Sequence, residues 1–410
     1  MERKRMMGIL MFCFLLMVTF SSNTLAEKPD SITLAIISDM TGPYAAVAGP
    51  MNPGAVDACA YVNEELGGID GVKIKLVLRD MEGKVALGLQ QYAGLIEMKP
   101  KPLFFVVFQT PTAEALRKKI VADDVLGFFP ASIDCLFPQG NTVSYWSLYP
   151  SFGALFMKWV KNNWEEERNP RVAIITWDTA YGRAILTKEV FDYAKKIGVD
   201  IVAKELFGVR NVDLTTQMVR IRAKNPDWLL TNSLGSGPLA IMKAAKDLGM
   251  KVRLGNSLGS DWATIRLNPS IFQDCITMTQ CVSYDNKDHP GVKKVLSYLK
   301  KYNRSEKEQV ALYITGWQYL LMVHKVVSDA VAKVGWDNLN NDALRKELFS
   351  LTDWEPLDGL VKVTYTKKLP ATPWAKIYKV KGEKLVPPGS KWGGKGEWVK
   401  CPDMTPAKYR

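Results

Sequence analysis

The sequence predicts an α/β chain built from two doubly wound parallel sheets with helices on both faces. Two observations carry that expectation. Apolar runs of four to eight residues alternate with longer stretches of helical period. This strand–helix rhythm plays through twice, over residues 31–149 and again over 150–281. Parallel strands need crossover connections, and right-handed helical crossovers cover both faces of a sheet.

In the first half, strands are expected at 32–38, 74–79, 103–108 and 125–129, with helices at 53–66, 85–98 and 112–123. The second half offers strands at 172–176, 201–206, 228–231 and 276–282. Its helices fall at 152–165, 184–197, 214–224 and 238–248, and two more follow at 290–301 and 309–334. The "LGG" at 66–68 and "LGM" at 248–250 put glycine where a helix C′ position favours it. Further on, "GLVKVTYTKK" and "PWAKIYKVKGEK" read as short paired strands. The Pro-, Gly- and Trp-rich residues 387–410 read as an irregular C-terminal strap.

The first residues have the organisation of a secretory signal. "MERKR" is basic, the next 15 residues are apolar, and Thr24 and Ala26 occupy the −3 and −1 positions of a cleavage site. The apolar run is shorter than the ~20 residues a spanning helix needs. Cys13 sits inside that run rather than at the cut, where a lipid anchor would need it. Residues 1–26 are therefore expected to be removed and the remainder exported to the periplasm.

That remainder sets 51 basic side chains against 41 acidic ones, a net charge of +10. The lysines are scattered over amphipathic segments with no arginine-rich run among aromatics, which excludes nucleic acid as a partner. The two histidines, His289 and His324, and the five remaining cysteines match no zinc spacing, so neither metal nor cofactor is expected. Five thiols permit two disulfides at most, and Cys275 and Cys281 could pair only if the chain turned between them.

Ligands of such sheets bind beyond the carboxyl ends of the strands, so the loops there hold the candidate residues. "SDMTGPYAAVAG" (38–49) spaces Gly42, Gly49 and Gly54 wrongly for a dinucleotide fingerprint and lacks a Walker lysine. Tyr44 on that loop reads as one wall of a pocket, with helix capping as the plainer alternative. "VVFQTPTAEAL" places Thr110 and Thr112 around Pro111 at a helix start, where free N–H groups and hydroxyls suit a carboxylate. Simple N-capping by either threonine is equally open. Ala131, Ser132 and Ile133 follow the fourth strand and face the same space, with Asp134 in reach. In the second half, "WDTAYGRA" offers Tyr181 as a ring that closes over a ligand. "GNSLG" (255–259) matches a nucleophile elbow, which would make Ser257 the nucleophile of an exported hydrolase with His289 or His324 as its base. The apolar strand that this motif requires is thin here.

At these residues the chain resembles the leucine/isoleucine/valine-binding family, the type I periplasmic binding proteins of ABC importers. The resemblance spans about residues 31–365. It is carried by "ITLAIISDMTGPYAAVAG", "NEELGGIDGVKIKLVLRD", "WDTAYGRA" and "NVDLTTQMVRIRAKNPDWLLTNSLGSGPLAIMKAAKDLGMK". It implies two lobes joined by a three-crossover hinge, lobe I from 30–149 plus 283–355 and lobe II from 150–282 plus 359–386. It also implies a monomer that needs no catalysis, closing on a small molecule and docking on a membrane permease.

By the same resemblance, Thr110 and the backbone of Ala131–Ile133 clamp a carboxylate and Tyr181 matches the family's "YG" tyrosine, while Tyr44, Phe108, Trp177, Tyr181 and Trp262 are the aromatic candidates for the walls. Three positions depart from the pattern. Ile133 replaces a threonine, Leu234 replaces a tyrosine, and Ser257 stands where an acidic residue meets the ammonium of an amino acid. Asp261 or Asp134 could substitute, and otherwise the ligand is a carboxylate or amide with an apolar or aromatic body. The expected function is therefore capture of a small carboxylate or amino-acid-like ligand for an ABC importer. An exported hydrolase or a ligand-sensing module for a signalling partner are the alternatives.

Overall fold

The computed structural model describes residues 28–211, 213–256, 262–366 and 368–410. The expected signal segment lies outside them. The first sheet holds β1 (Ser31–Ser38), β2 (Lys73–Asp80), β3 (Phe104–Val107), β4 (Leu126–Phe129) and β5 (Thr142–Ser144). All are parallel, in the order β2-β1-β3-β4-β5. In β1, Ile32, Leu34 and Ile36 pack into one core while Ala35 and Ile37 pack into another on the opposite face. That alternation is why the strand reads as one unbroken apolar run: both faces are covered.

The second sheet repeats the winding. β6 (Arg171–Trp177), β7 (Asp200–Phe207), β8 (Trp228–Thr231), β9 (Arg253–Asn256) and β10 (Ile276–Thr279) are parallel in the order β7-β6-β8-β9-β10. β11 (Trp374–Lys381) adds to β10 antiparallel, and β12 (Lys384–Val386) and β13 (Val399–Lys400) both pair with β11.

The longer helices are α1 (Met51–Glu64), α2 (Val85–Ile96), α3 (Thr110–Ala122), α4 (Tyr149–Asn162) and α5 (Lys188–Lys196). After them come α6 (Thr215–Arg222), α7 (Ser236–Asp247), α8 (Pro290–Lys301), α9 (Ala311–Val334) and α10 (Asn341–Leu348). Among the described residues no helix is long and apolar enough to cross a membrane.

Three passages connect the sheets: β5 into α4, β10 into α8, and the segment from α10 to β11. After the second, the chain returns to the first lobe, and α9 docks on α1. The helices meet at glycines. A methyl on Gly54 would sit 2.2 Å from the Tyr313 carbonyl oxygen, inside any tolerable contact. Beside this crossing Asp57 is fully buried and accepts from Arg304 Nε at 3.0 Å and from the Tyr313 hydroxyl. A buried carboxylate held by a guanidinium and a phenol keeps its lone pairs satisfied.

Several details differ from the sequence reading. β5 and β9 carry no legible strand pattern, because "TVS" and "RLGN" each hold a single large apolar side chain and are defined by their neighbours in the sheet. "GLVKVTYTKK" forms isolated bridges, such as Trp354 to Val363, rather than a ladder. The strap contributes β13, and Tyr409 at its end stacks on Phe137 of the first lobe at 5.1 Å. All five described cysteines are buried free thiols. Cys275 and Cys281 flank the extended β10, which holds them apart.

The helix crossing generates a prediction. Gly54→Ala should lower unfolding stability by at least about 2 kcal/mol in urea denaturation, because backbone rather than a mobile side chain blocks the added methyl.

Candidate functional site

The carboxyl ends of both sheets face a cavity of about 440 Å³. Three stretches of the first lobe build or brace its lower wall. After β1, the chain turns through Asp39 to Tyr44, and this turn is fastened to the loop after β2. The Asp80 carboxylate accepts from Met40 N at 3.0 Å, Thr41 Oγ1 at 2.6 Å and Glu82 N at 2.9 Å. These bonds hold the Asp80 carboxyl below the usual carboxylate range in spite of partial burial, which acts to raise it. Asp39 Oδ1 in turn accepts from Gly83 N at 2.7 Å. The third stretch is Phe108–Pro111, at the start of α3.

Thr110 is the first residue of that helix rather than its cap. The N-cap is Gln109, which makes no side-chain capping bond, and Pro111 follows within the first turn. The N-capping alternative for Thr110 thus falls away, and its hydroxyl instead pairs with the buried phenol of Tyr149. Thr112 is fully buried and donates to Gln109 Oε1 at 2.8 Å.

The upper wall comes from the second lobe. Thr179 caps the short helix Ala180–Arg183 by accepting from Gly182 N at 3.0 Å. Gly182 is required there because any Cβ would lie 2.1 Å from the Trp177 carbonyl oxygen. Asn232, after β8, donates to the Tyr181 carbonyl at 2.6 Å and so ties this helix to the loop that carries Leu234. The Arg183 guanidinium pairs with Asp178.

Between the walls runs an arc of aromatic rings. Phe108 meets Trp146 at 6.4 Å, Trp146 meets Tyr149 at 6.2 Å, and Tyr149 meets Tyr181 edge-on at 5.0 Å. Trp177 completes it, 6.3 Å from Tyr181. The arc starts in one lobe, passes through the first connecting segment and ends in the other.

Of the residues singled out from sequence, Tyr44, Phe108, Thr110, Trp177, Tyr181 and Leu234 line this cavity. Ala131, Ser132 and Ile133 do not. The Ala131 carbonyl accepts from Tyr149 N at 3.0 Å, and Ile133 packs into the core on the far face of the sheet. Ser132 caps the short helix Ile133–Leu136 and donates to Glu114 at 3.0 Å. Asp134 is exposed on that helix. Ser257 and Asp261 lie outside the described residues. His289 and His324 are absent from the lining; His324 sits 3.2 Å from the Gly68 carbonyl oxygen, within the first lobe. Among the described residues no group of three metal-ligating side chains occurs.

Asp39, Trp146 and Tyr149 are among the lining residues that the sequence reading does not single out, together with Gln109, Thr179, Ala180 and Arg183. The cluster "SYWSLY" at the boundary between the two windings was a legible signal for the aromatic pair, since pockets favour domain interfaces. Asp39 stands out chemically. It has no exposed surface, and its Oδ2 has no hydrogen-bond partner. Burial raises its carboxyl from 3.8 to about 6, the Gly83 N–H opposes the rise, and the Asp80 charge adds to it.

A family model described as periplasmic binding protein matches residues 31–384. The chain belongs to the periplasmic binding protein family. It is a binding protein and not an enzyme, which removes the hydrolase reading around Ser257. The solved structures show the same fold. One is a branched chain amino acid ABC transporter protein from Thermus thermophilus with bound valine (19% identity, 88% of this chain and 96% of that one, TM-score 0.78). A fatty acid ABC transporter substrate-binding protein from Thermomonospora curvata has 18% identity, covering 94% of this chain and 97% of its own, at a TM-score of 0.76. A solute binding protein of an ABC transporter from Rhodopseudomonas palustris HaA2, in complex with p-hydroxybenzoic acid, has 18% identity, 92% and 98% coverage, and a TM-score of 0.74. No curated protein matches the chain by sequence.

A pH-dependent stability follows from Asp39. Its raised carboxyl favours the folded state fully below its unfolded value of 3.8, and that contribution disappears as the pH rises through about 6. Asp39→Asn should therefore stabilise the ligand-free protein by about 1–3 kcal/mol at pH 7.5 and by nothing measurable near pH 4, as read from thermal unfolding at both pH values.

Proposed function

We propose that this periplasmic binding protein captures a small carboxylate or amino-acid-like ligand with an apolar or aromatic body and delivers it to the permease of an ABC importer. The observation that carries this reading is the aromatic arc, which takes rings from both lobes and the segment joining them around one cavity. A ligand seated there contacts both lobes at once, so binding favours the closed form over the open one. The volume of about 440 Å³ suits a body of amino-acid or benzoate size. The Thermus protein carries valine and the Rhodopseudomonas protein carries p-hydroxybenzoic acid, both small carboxylates.

The carboxylate end belongs at the start of α3. The N–H groups of Thr110 and Thr112 precede any intrahelical partner there, and Gln109 offers no side-chain cap. Tyr44, Phe108, Thr110, Tyr181 and Leu234 contact the ligand. Residues 1–26 direct export as a cleaved signal, and the chain works as a monomer.

Mass spectrometry of material released by denaturing the purified protein tests this directly. A stoichiometric small carboxylate is expected, and its absence from protein that later binds no member of an amino-acid and aromatic-acid panel would refute the reading. In the same panel Tyr181→Ala should weaken the best ligand about ten- to a hundredfold in calorimetry, because it removes the ring that joins the second lobe to the arc. The exported protein should begin at Glu27 on N-terminal sequencing.

A further inference from the structure

The strap, residues 387–410, touches both lobes without being one of the three passages between them. Its ties to the second lobe are polar. β13 pairs with β11 at Trp374 and Ala375, Trp392 N donates to Asn163 Oδ1 at 3.1 Å, and Lys376 Nζ donates to the Gly396 carbonyl at 2.6 Å. Where the strap crosses the passages, Cys401 N donates to the Pro373 carbonyl at 2.7 Å and Met404 N to Ser151 Oγ at 3.4 Å. The Met404 side chain packs with Ala154 of α4 and Val190 of α5. The hold on the first lobe is of another kind. There the half-buried Tyr409 lays its ring on the buried Phe137, with centroids 5.1 Å apart and planes within 20° of each other. Arg410 Nε donates to the Thr405 carbonyl at 2.8 Å and its second guanidinium nitrogen to the Asp403 carbonyl at 2.9 Å, which curls the strap and sets the position of that ring.

We propose that Tyr409 is a latch, its stack on Phe137 biasing the lobes toward the closed arrangement before any ligand enters. The two lobes enclose one cavity in this structure, so the stack belongs to the closed arrangement. The lobes turn about the three passages, and a strap hydrogen-bonded to β11 and α4 travels with the second lobe. Phe137 stays with the core it shares with Phe129 and Leu136 in the first. A turn that parts the lobes therefore shifts the Tyr409 ring against Phe137, and a gap of about 1 Å already forfeits up to half of such a contact. A contact made in one state and lost in the other moves the balance between them by its own worth. For one aromatic pair that is about two- to tenfold in the ratio of closed to open. The division of labour suits a latch. Polar ties fix the arm, while two stacked rings share no fixed donor and acceptor and so can part and meet again.

Distance distributions between the lobes, measured by double electron–electron resonance on the full exported chain stripped of bound material, test the latch. Spin labels go on β2 and α7 through Lys75→Cys and Lys243→Cys, both exposed positions, while the five described native thiols are buried. The otherwise wild-type protein should populate the distance of the closed lobes. Tyr409→Ala should lower the ratio of closed to open about two- to tenfold, and Tyr409→Phe should keep the wild-type distribution because stacking needs the ring alone. Phe137→Leu keeps an apolar side chain in the core and should act as Tyr409→Ala does; the two together should go no further than either one. A Tyr409→Ala distribution that matches wild type overturns the latch, whatever its melting temperature, since a merely structural contact lowers stability without moving the lobes. Opening by Tyr409→Phe as far as by Tyr409→Ala overturns it as well, as does a wild type with no closed population. Should Tyr409→Ala not fold, Phe137→Leu and Tyr409→Phe decide. No ligand enters the measurement, so the capture of a carboxylate stands or falls separately.

Discussion

Everything at the site depends on two sheet ends being held face to face by the short run from Tyr145 to Tyr149. This segment is anchored by its own backbone. Gln318 Nε2 donates to the Tyr145 carbonyl at 2.8 Å, the Tyr365 hydroxyl donates to the Ser144 carbonyl at 2.8 Å, and Tyr149 N donates to the Ala131 carbonyl. Trp146 Nε1 reaches Thr315 Oγ1 at 3.3 Å. The partners belong to α9, to the third passage and to the loop after β4, so distant parts of the chain converge on the six residues 144–149. Rings at both ends of this segment are thereby placed to serve as the floor of the cavity. A buried loop is tolerated where its peptide groups find partners, and here the Trp146 N–H, the Tyr145 and Leu148 carbonyls and the Tyr149 N–H have them.

The same economy shapes the first lobe. Asp80 gathers the N–H groups of two loops and stays charged because its oxygens are occupied; Asp39, one turn away, has one oxygen occupied and one bare. The pair separates two roles that look alike in sequence. One carboxylate fastens the wall with both oxygens, and the other is buried with one oxygen unpaired. The stability given up at Asp39 is small beside the burial of cores on both faces of the first sheet.

The legibility of the site followed the kind of signal each residue leaves. Tyr44, Phe108, Thr110 and Tyr181 sit at strand ends in loops rich in hydroxyl groups and glycine, a pattern visible in one dimension, whereas Leu234 is singled out only by the family resemblance. Ala131, Ser132 and Ile133 satisfy the same pattern but are turned away, since a helix of four residues needs Ser132 as its cap and the Tyr149 amide needs the Ala131 carbonyl. Asp39 leaves a fainter signal, an acid two residues beyond the apolar run Leu34–Ile37 and beside the glycines of its loop. Trp146 and Tyr149 fell between the two windings, where no periodic element drew attention to them.

By itself the sequence determined the alternation of buried strands and amphipathic helices, its repetition, and hence two doubly wound sheets with their strand ends as the place to look. These are properties of local pattern: periods of two and 3.6 residues and the backbone demands of glycine and proline. Tertiary structure decided which loops face each other, which of two neighbouring carboxylates is left bare, and that β5 and β9 are strands at all. Those outcomes turn on hydrogen bonds and packing between residues far apart in the chain, such as Gln318 with Tyr145 or Gly54 with Tyr313, which no stretch of sequence contains.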